Sequence, residues 1–271
     1  MTEEKPTIEE QAKLRKAGRD ALDRPLVKRF FQTVTVETVS VAATDSCDGD
    51  GANISYGIRL DGKTVRTPAR AELCVSSQAL AKRLCAEWEA QGEFINPQSM
   101  PLTQLANTAI DGVRIQMDEV VASTLAFAGS DLLCYRAEGP ESLVELQSQH
   151  WDPVLEWVAA TFGAKFQTSA GIMHVAQLDE NISRIEAHLK TFDPLALSAV
   201  NVMTSLCGSV FLALTVAENH FSAAEAWQAA HIDEEWQMSR WGGDAEAELR
   251  RETRFKDMQA AADFLHLSRS E

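Results

Sequence analysis

The chain has 271 residues, enough for one large domain or two modest ones that each bury a core. At 45% hydrophobic and 24% charged, its composition is that of an ordinary globular protein without low-complexity tracts or internal repeats. Its 40 acidic against 25 basic residues give a formal net charge of −15. That balance argues against a general binder of nucleic acid or anionic membrane, which needs a counterion-releasing basic face.

The chain opens on MTEEKPTIEEQ, which is acidic and lacks an apolar stretch, so it reads as neither a secretory signal nor an Arg-rich transit peptide. Residues 1–23 are expected to form a helical or disordered segment, and a bacterial cytoplasmic protein fits. Arg24, Lys28 and Arg29 around Pro25 are the densest local basic group, most simply a solvated surface. From Arg29 to Thr67 β-branched residues dominate, and FFQTVTVETVSVA alternates as a strand does. TDSCDGDGAN, residues 44–53, is a polar turn-forming link to the next strand.

Residues 57–64, GIRLDGKT, match the pattern of a phosphate-binding loop. On that reading Gly57, Gly62, Lys63 and Thr64 would hold the nucleotide of an enzyme. Such a loop needs pliable backbone followed directly by a helix. Here Ile58, Arg59 and Leu60 form a bulky extended run, and Pro68 would fall inside the required helix. Asp61-Gly62 is instead a two-residue hairpin signal, since both turn positions favour positive φ. The register set by that turn pairs Leu60 with Lys63, Ile58 with Val65, and Tyr56 with Thr67. Tyr56, Ile58, Leu60 and Val65 then share one face, with Arg59, Thr64 and Arg66 on the other.

Helical periodicity follows. Ser76 is expected to cap SSQALAKRLCAEWEAQG, with Gly92 as its stop. After NPQSMPLT, helices are expected over roughly 102–111, 113–128, 140–162, 179–191, 194–219, 222–241 and 244–266. Asp193-Pro194 places a cap beside a proline at the first helical position. Ser222 and Glu225 have the spacing of a capping box. Residues 195–217 contain no charge and would reach across a bilayer. Ser198, Asn201, Thr204, Ser205, Ser209 and Thr215 dilute the run, and no flanking basic cluster fixes a topology, so a buried helix is expected. The fold class is thus α+β: a small β-rich domain over 24–105 carrying the hairpin, then a larger all-α domain over 106–271.

Five cysteines (Cys47, Cys74, Cys85, Cys134, Cys207) make no C-x-x-C pair, which favours reduced thiols over a metal site or disulfide framework. His231 and Glu235 stand one turn apart, and with Asp233 they are the only candidate for a metal hydrolase, but no second histidine has ligand spacing. On one continuous helix Ala226, Ala230, Asp233, Gln237 and Trp241 share a face, flanked by Trp227, Glu234 and Met238. An acid on such a face needs a partner. Two readings stand: Asp233 or Glu234 meets a partner protein, or forms an internal ion pair with Arg240 or an arginine of the last helix.

The motif string resembles a known family. It runs through RPLVKRFFQTVTVE, LDGKTVRTPAR, AEWEAQGEFINPQSMPLTQLANTAID, DLLCYRAEGPESLVELQSQHWDPVLEW, GSVFLALTVAE and EAWQAAHIDEEWQMSRWGGDAEAE, from about Arg24 to Phe264. This is similar to the assembly chaperones that hold the α subunit of the F-type ATP synthase catalytic head in mitochondria and α-proteobacteria. The resemblance implies an α+β domain followed by a helical domain, no nucleotide hydrolysis and no cofactor. It implies as partner the unassembled α subunit, bound where the β subunit later sits, by a monomer that neither binds nucleic acid nor inserts into membrane. It also places a functional acid on Asp233, with Glu234 beside it and Gln237 and Trp241 on the same partner-binding stretch.

Overall fold

The computed structural model describes residues 26–40, 54–171 and 173–270. The segment 1–23, Arg24, the 44–53 link and Cys47 lie outside the described residues.

A short strand β1 (Val27–Lys28) precedes β2 (Val34–Ser40), which pairs antiparallel with β3 (Ile54–Leu60) from Val34↔Leu60 to Ser40↔Ile54. β4 (Lys63–Thr64) returns across a two-residue turn in which Asp61 has φ 48° and Gly62 φ 78°. Leu60 pairs with Lys63, and Val65 donates to the Ile58 carbonyl at 2.9 Å. The hairpin reading of GIRLDGKT therefore holds. Gly57 sits within the ladder between Glu37 and Cys74 and has no loop to wrap a phosphate. Ile58, Leu60 and Val65 are buried, and Arg59 reaches Glu37 at 2.5 Å on the opposite face.

One pairing differs from expectation. Tyr56 faces Val75 of β5 (Cys74–Val75), not Thr67. Pro68 has no N–H to extend the ladder, and the chain turns back there, with Thr67 donating to the Ala71 carbonyl at 2.9 Å. The returning residues occupy the edge that Thr67 would have filled.

Helix α1 (Gln78–Glu89) is capped by Ser77, one residue later than expected, whose hydroxyl accepts from Leu80. It ends against Ala90, two residues short of Gly92. β6 (Phe94–Ile95) pairs with β1, and α2 (Pro101–Thr108) runs into a π-helical turn at Ala109–Val113. Glu87 of α1 accepts from Leu102 and Thr103 N–H, both at 2.8 Å, so one helix supplies the cap of the next. Then come α3 (Met117–Leu125), β7 (Tyr135–Arg136), α4 (Glu141–Phe162), β8 (Ser169–Ala170) parallel to β7, and α5 (Asp179–Leu189).

The expected helix over 194–219 is two: α6 (Pro194–Cys207), with Asp193 as its cap, and α7 (Val210–Ala217). Gly208 breaks the run at φ 66°, a conformation that disfavours side chains with a Cβ. Both helices are largely buried, and among the described residues no helix is long and apolar enough to cross a membrane. The break is pinned by Asp131, fully buried, whose carboxylate accepts from Leu133 and Phe211 N–H. Burial pushes its carboxyl up to about 7, against the pull of these bonds and of Ser209.

The expected helix over 222–241 is also two, α8 (Ala223–Ala230) and α9 (Ile232–Trp241), and the expected capping box of Ser222 and Glu225 opens the first. The last helix, α10 (Ala245–Ser268), buries Met258, Ala261, Phe264 and Leu265 against α6, α1 and α2. Its first three turns are largely exposed.

Candidate functional site

The α8–α9 break falls at His231, whose backbone (φ −115°, ψ 20°) leaves the helical region. Its ring is buried against Trp227, 3.8 Å between centroids. Nδ1 donates to the Trp227 carbonyl at 2.8 Å, because a carbonyl can only accept. Burial holds the imidazole below the ordinary histidine range.

This break dissolves the single face expected from a continuous helix. Ala226 and Trp227 are buried under α8, Asp233 is half-buried, and Glu234, Gln237 and Trp241 lie in solvent. Trp241 is 76% exposed, edge-on to Trp236 at 5.8 Å, and Arg240 lies 5.4 Å over the Trp236 ring.

What orients α9 is α4. Trp236 Nε1 donates to Ser142 Oγ at 3.2 Å, Gln147 Nε2 to Asp233 Oδ1 at 2.7 Å, and Trp151 Nε1 to the Ala229 carbonyl at 2.7 Å. From the other side Arg251 of α10 forms an ion pair with Glu235. The expected ion pair with an arginine of the last helix thus exists, but on Glu235. Asp233 takes a neutral amide instead, and Arg240 takes an aromatic ring.

Three consecutive acids consequently have three different surroundings. Glu235 is matched by a cation. Glu234 is exposed and makes no ion pair among the described residues. Asp233 is held through one oxygen by Gln147, and among the described residues it makes no ion pair. All three lie in the first turn of α9, where the helix dipole favours negative charge.

His231, Asp233 and Glu235 face Trp227, Gln147 and Arg251 respectively, so they do not converge. Among the described residues no group of three or more His, Cys, Asp or Glu side chains is placed to hold a metal. Beside the acids a shallow cavity of about 250 Å³ is lined by Trp227, Phe255, Glu248, Arg251 and Glu252.

Sequence reasoning missed Gln147. Its signal was present: it occupies one position of the stripe Leu143, Gln147, Trp151, Val154, Val158, the buried side of α4. A glutamine at helical spacing within an apolar stripe must find partners, and that marks it.

A family model described as "ATP12 chaperone protein" matches residues 28–159. Among solved structures, Atp12 from Paracoccus denitrificans is 34% identical with a TM-score of 0.81, covering 90% of this chain and 99% of its own. An aspartate-to-lysine mutant of the same P. denitrificans protein matches at 34% identity and TM-score 0.81. The Atu1473 protein from Agrobacterium tumefaciens is 42% identical with a TM-score of 0.82, covering 97% of this chain and 92% of that one.

Proposed function

Because this chain belongs to the ATP12 chaperone family, we propose that it is an assembly chaperone of the F-type ATP synthase that binds the unassembled α subunit. It does so as a cytoplasmic monomer, without catalysis or cofactor, and its binding face is α9, with Asp233, Glu234, Gln237 and Trp241.

The observation that carries the choice of face is Asp233 itself: a negative charge that no cation cancels among the described residues, held through one oxygen by the buried amide of Gln147. At the far end of the same helix Trp241 is left 76% exposed. Tryptophan is among the residues enriched in interface hot spots. The physical logic of the client is independent of this face. A subunit made before its neighbour exposes an apolar patch built for that neighbour, and such patches drive aggregation. A transient cover that is weaker and more polar than the final interface yields to it by mass action.

The test is a pull-down of isolated α subunit against isolated β subunit. Retention of α and not β supports the reading. A folded protein that retains neither, and does not suppress aggregation of α, removes it.

A further inference from the structure

We propose that Gln147 is a positioning residue for client binding: a buried amide on α4 that fixes the carboxylate of Asp233 on α9. The proposal rests on the reading that Asp233 meets the client.

Gln147 is 1% exposed. Its Oε1 accepts from the Ala137 N–H at 2.8 Å. That bond decides which way round the amide sits, because only the oxygen can accept from a backbone N–H. The Nε2 end therefore faces α9, where it donates to Asp233 Oδ1 at 2.7 Å. The amide cannot turn over without setting two donors against each other at Ala137 and two acceptors at Asp233. Both partners of a buried amide being satisfied, any other arrangement leaves a polar group unpaired.

The neutrality of this partner matters. An arginine would orient Asp233 and also cancel its charge, as Arg251 does for Glu235. Glutamine orients without cancelling. Of the three acids in the turn, Asp233 alone is both held by a hydrogen bond from a neighbouring helix and free of an ion pair among the described residues. A carboxylate fixed before binding loses less side-chain freedom when the client arrives. Ala137 directly follows β7, so the orientation of Asp233 is set by a chain of contacts from β7 through α4 to α9.

The experiment is a double-mutant cycle on the full chain, with affinity for isolated α subunit and thermal midpoint measured for each variant. Gln147→Leu is expected to weaken binding about tenfold in the wild-type background and to have no further effect on Asp233→Ala. Gln147→Glu gives a readout that a purely structural role does not move. Its carboxylate repels Asp233 at pH 8, whereas a protonated glutamic acid near pH 5 accepts from Ala137 and donates to Asp233 as the amide does. Binding by Gln147→Glu relative to wild type is therefore expected to recover as pH falls.

Equal losses from Gln147→Leu with and without Asp233, or a Gln147→Glu profile parallel to wild type, overturn the positioning role. If Asp233→Ala binds normally, the face itself is wrong and the inference goes with it. A loss in Asp233→Ala with Gln147→Leu unaffected leaves the face and removes only Gln147.

Discussion

The Glu87 carboxylate accepts the Thr103 backbone N–H at 2.8 Å and its hydroxyl at 2.7 Å, joining α1 to the start of α2 across 16 residues. No residue adjacent to α2 supplies a side-chain cap. Glu87→Ala is accordingly expected to cost about 2 kcal/mol, the upper range for a helix cap, in urea denaturation. Glu87→Gln, which keeps an acceptor, is expected to cost less than half of that.

Asp131 gives the protein a pH-dependent stability of defined sign. Its carboxyl is raised from 3.8 to about 7 by burial, so the folded state holds its proton more tightly than the unfolded state. The stabilisation is full below the unfolded value and is lost as pH rises through about 4 to 7. Across that window the denaturation midpoint of the wild type should fall relative to that of Asp131→Asn. In Asp131→Asn this contribution to the slope should disappear.

Asp233→Lys is expected to weaken binding of the α subunit roughly 100-fold, by reversing a charge at the proposed face. The same change removes one hydrogen bond and puts a cation at a helix N-terminus, which together lower the thermal midpoint by only about 2–4 °C. Parallel loss of affinity and stability would mark Asp233 as structural.

Gly62 has φ 78°, which a side chain resists. Gly62→Ala is expected to destabilise the hairpin by about 1 kcal/mol. Calorimetry with Mg-ATP should detect no site, and Lys63→Ala should leave client binding unchanged. Tight nucleotide binding that Lys63→Ala abolishes would overturn the hairpin as a purely structural element.

These residues also separate what the sequence made legible from what it did not. Asp61-Gly62, Asp193-Pro194 and Ser222-Ala-Ala-Glu225 act within a few residues, and each forms the turn or cap its local chemistry requires. Ser77 instead of Ser76 is a one-residue choice between adjacent serines that periodicity does not resolve. The breaks at Gly208 and His231 were hidden because apolar spacing continues on both sides, although Gly208-Ser209 is a stop followed by a cap. β7 and β8 are two residues each, too short for a pattern to declare. The Gln147–Asp233 bond spans 86 residues, and only tertiary packing brings its ends together. Asp233 was visible in the sequence as an acid in need of a partner, whereas the amide that meets it was not.

The buried end of α10 has a consequence for biosynthesis. Met258, Phe264 and Leu265 come last among the described core residues, yet their helix packs against α6 and against α1 and α2, the two earliest α-helices among the described residues. A nascent chain therefore carries those three apolar faces uncovered until Leu265 has left the ribosome. During that interval the protein is itself an unassembled partner with an exposed patch, in the same predicament as the subunit it is proposed to hold.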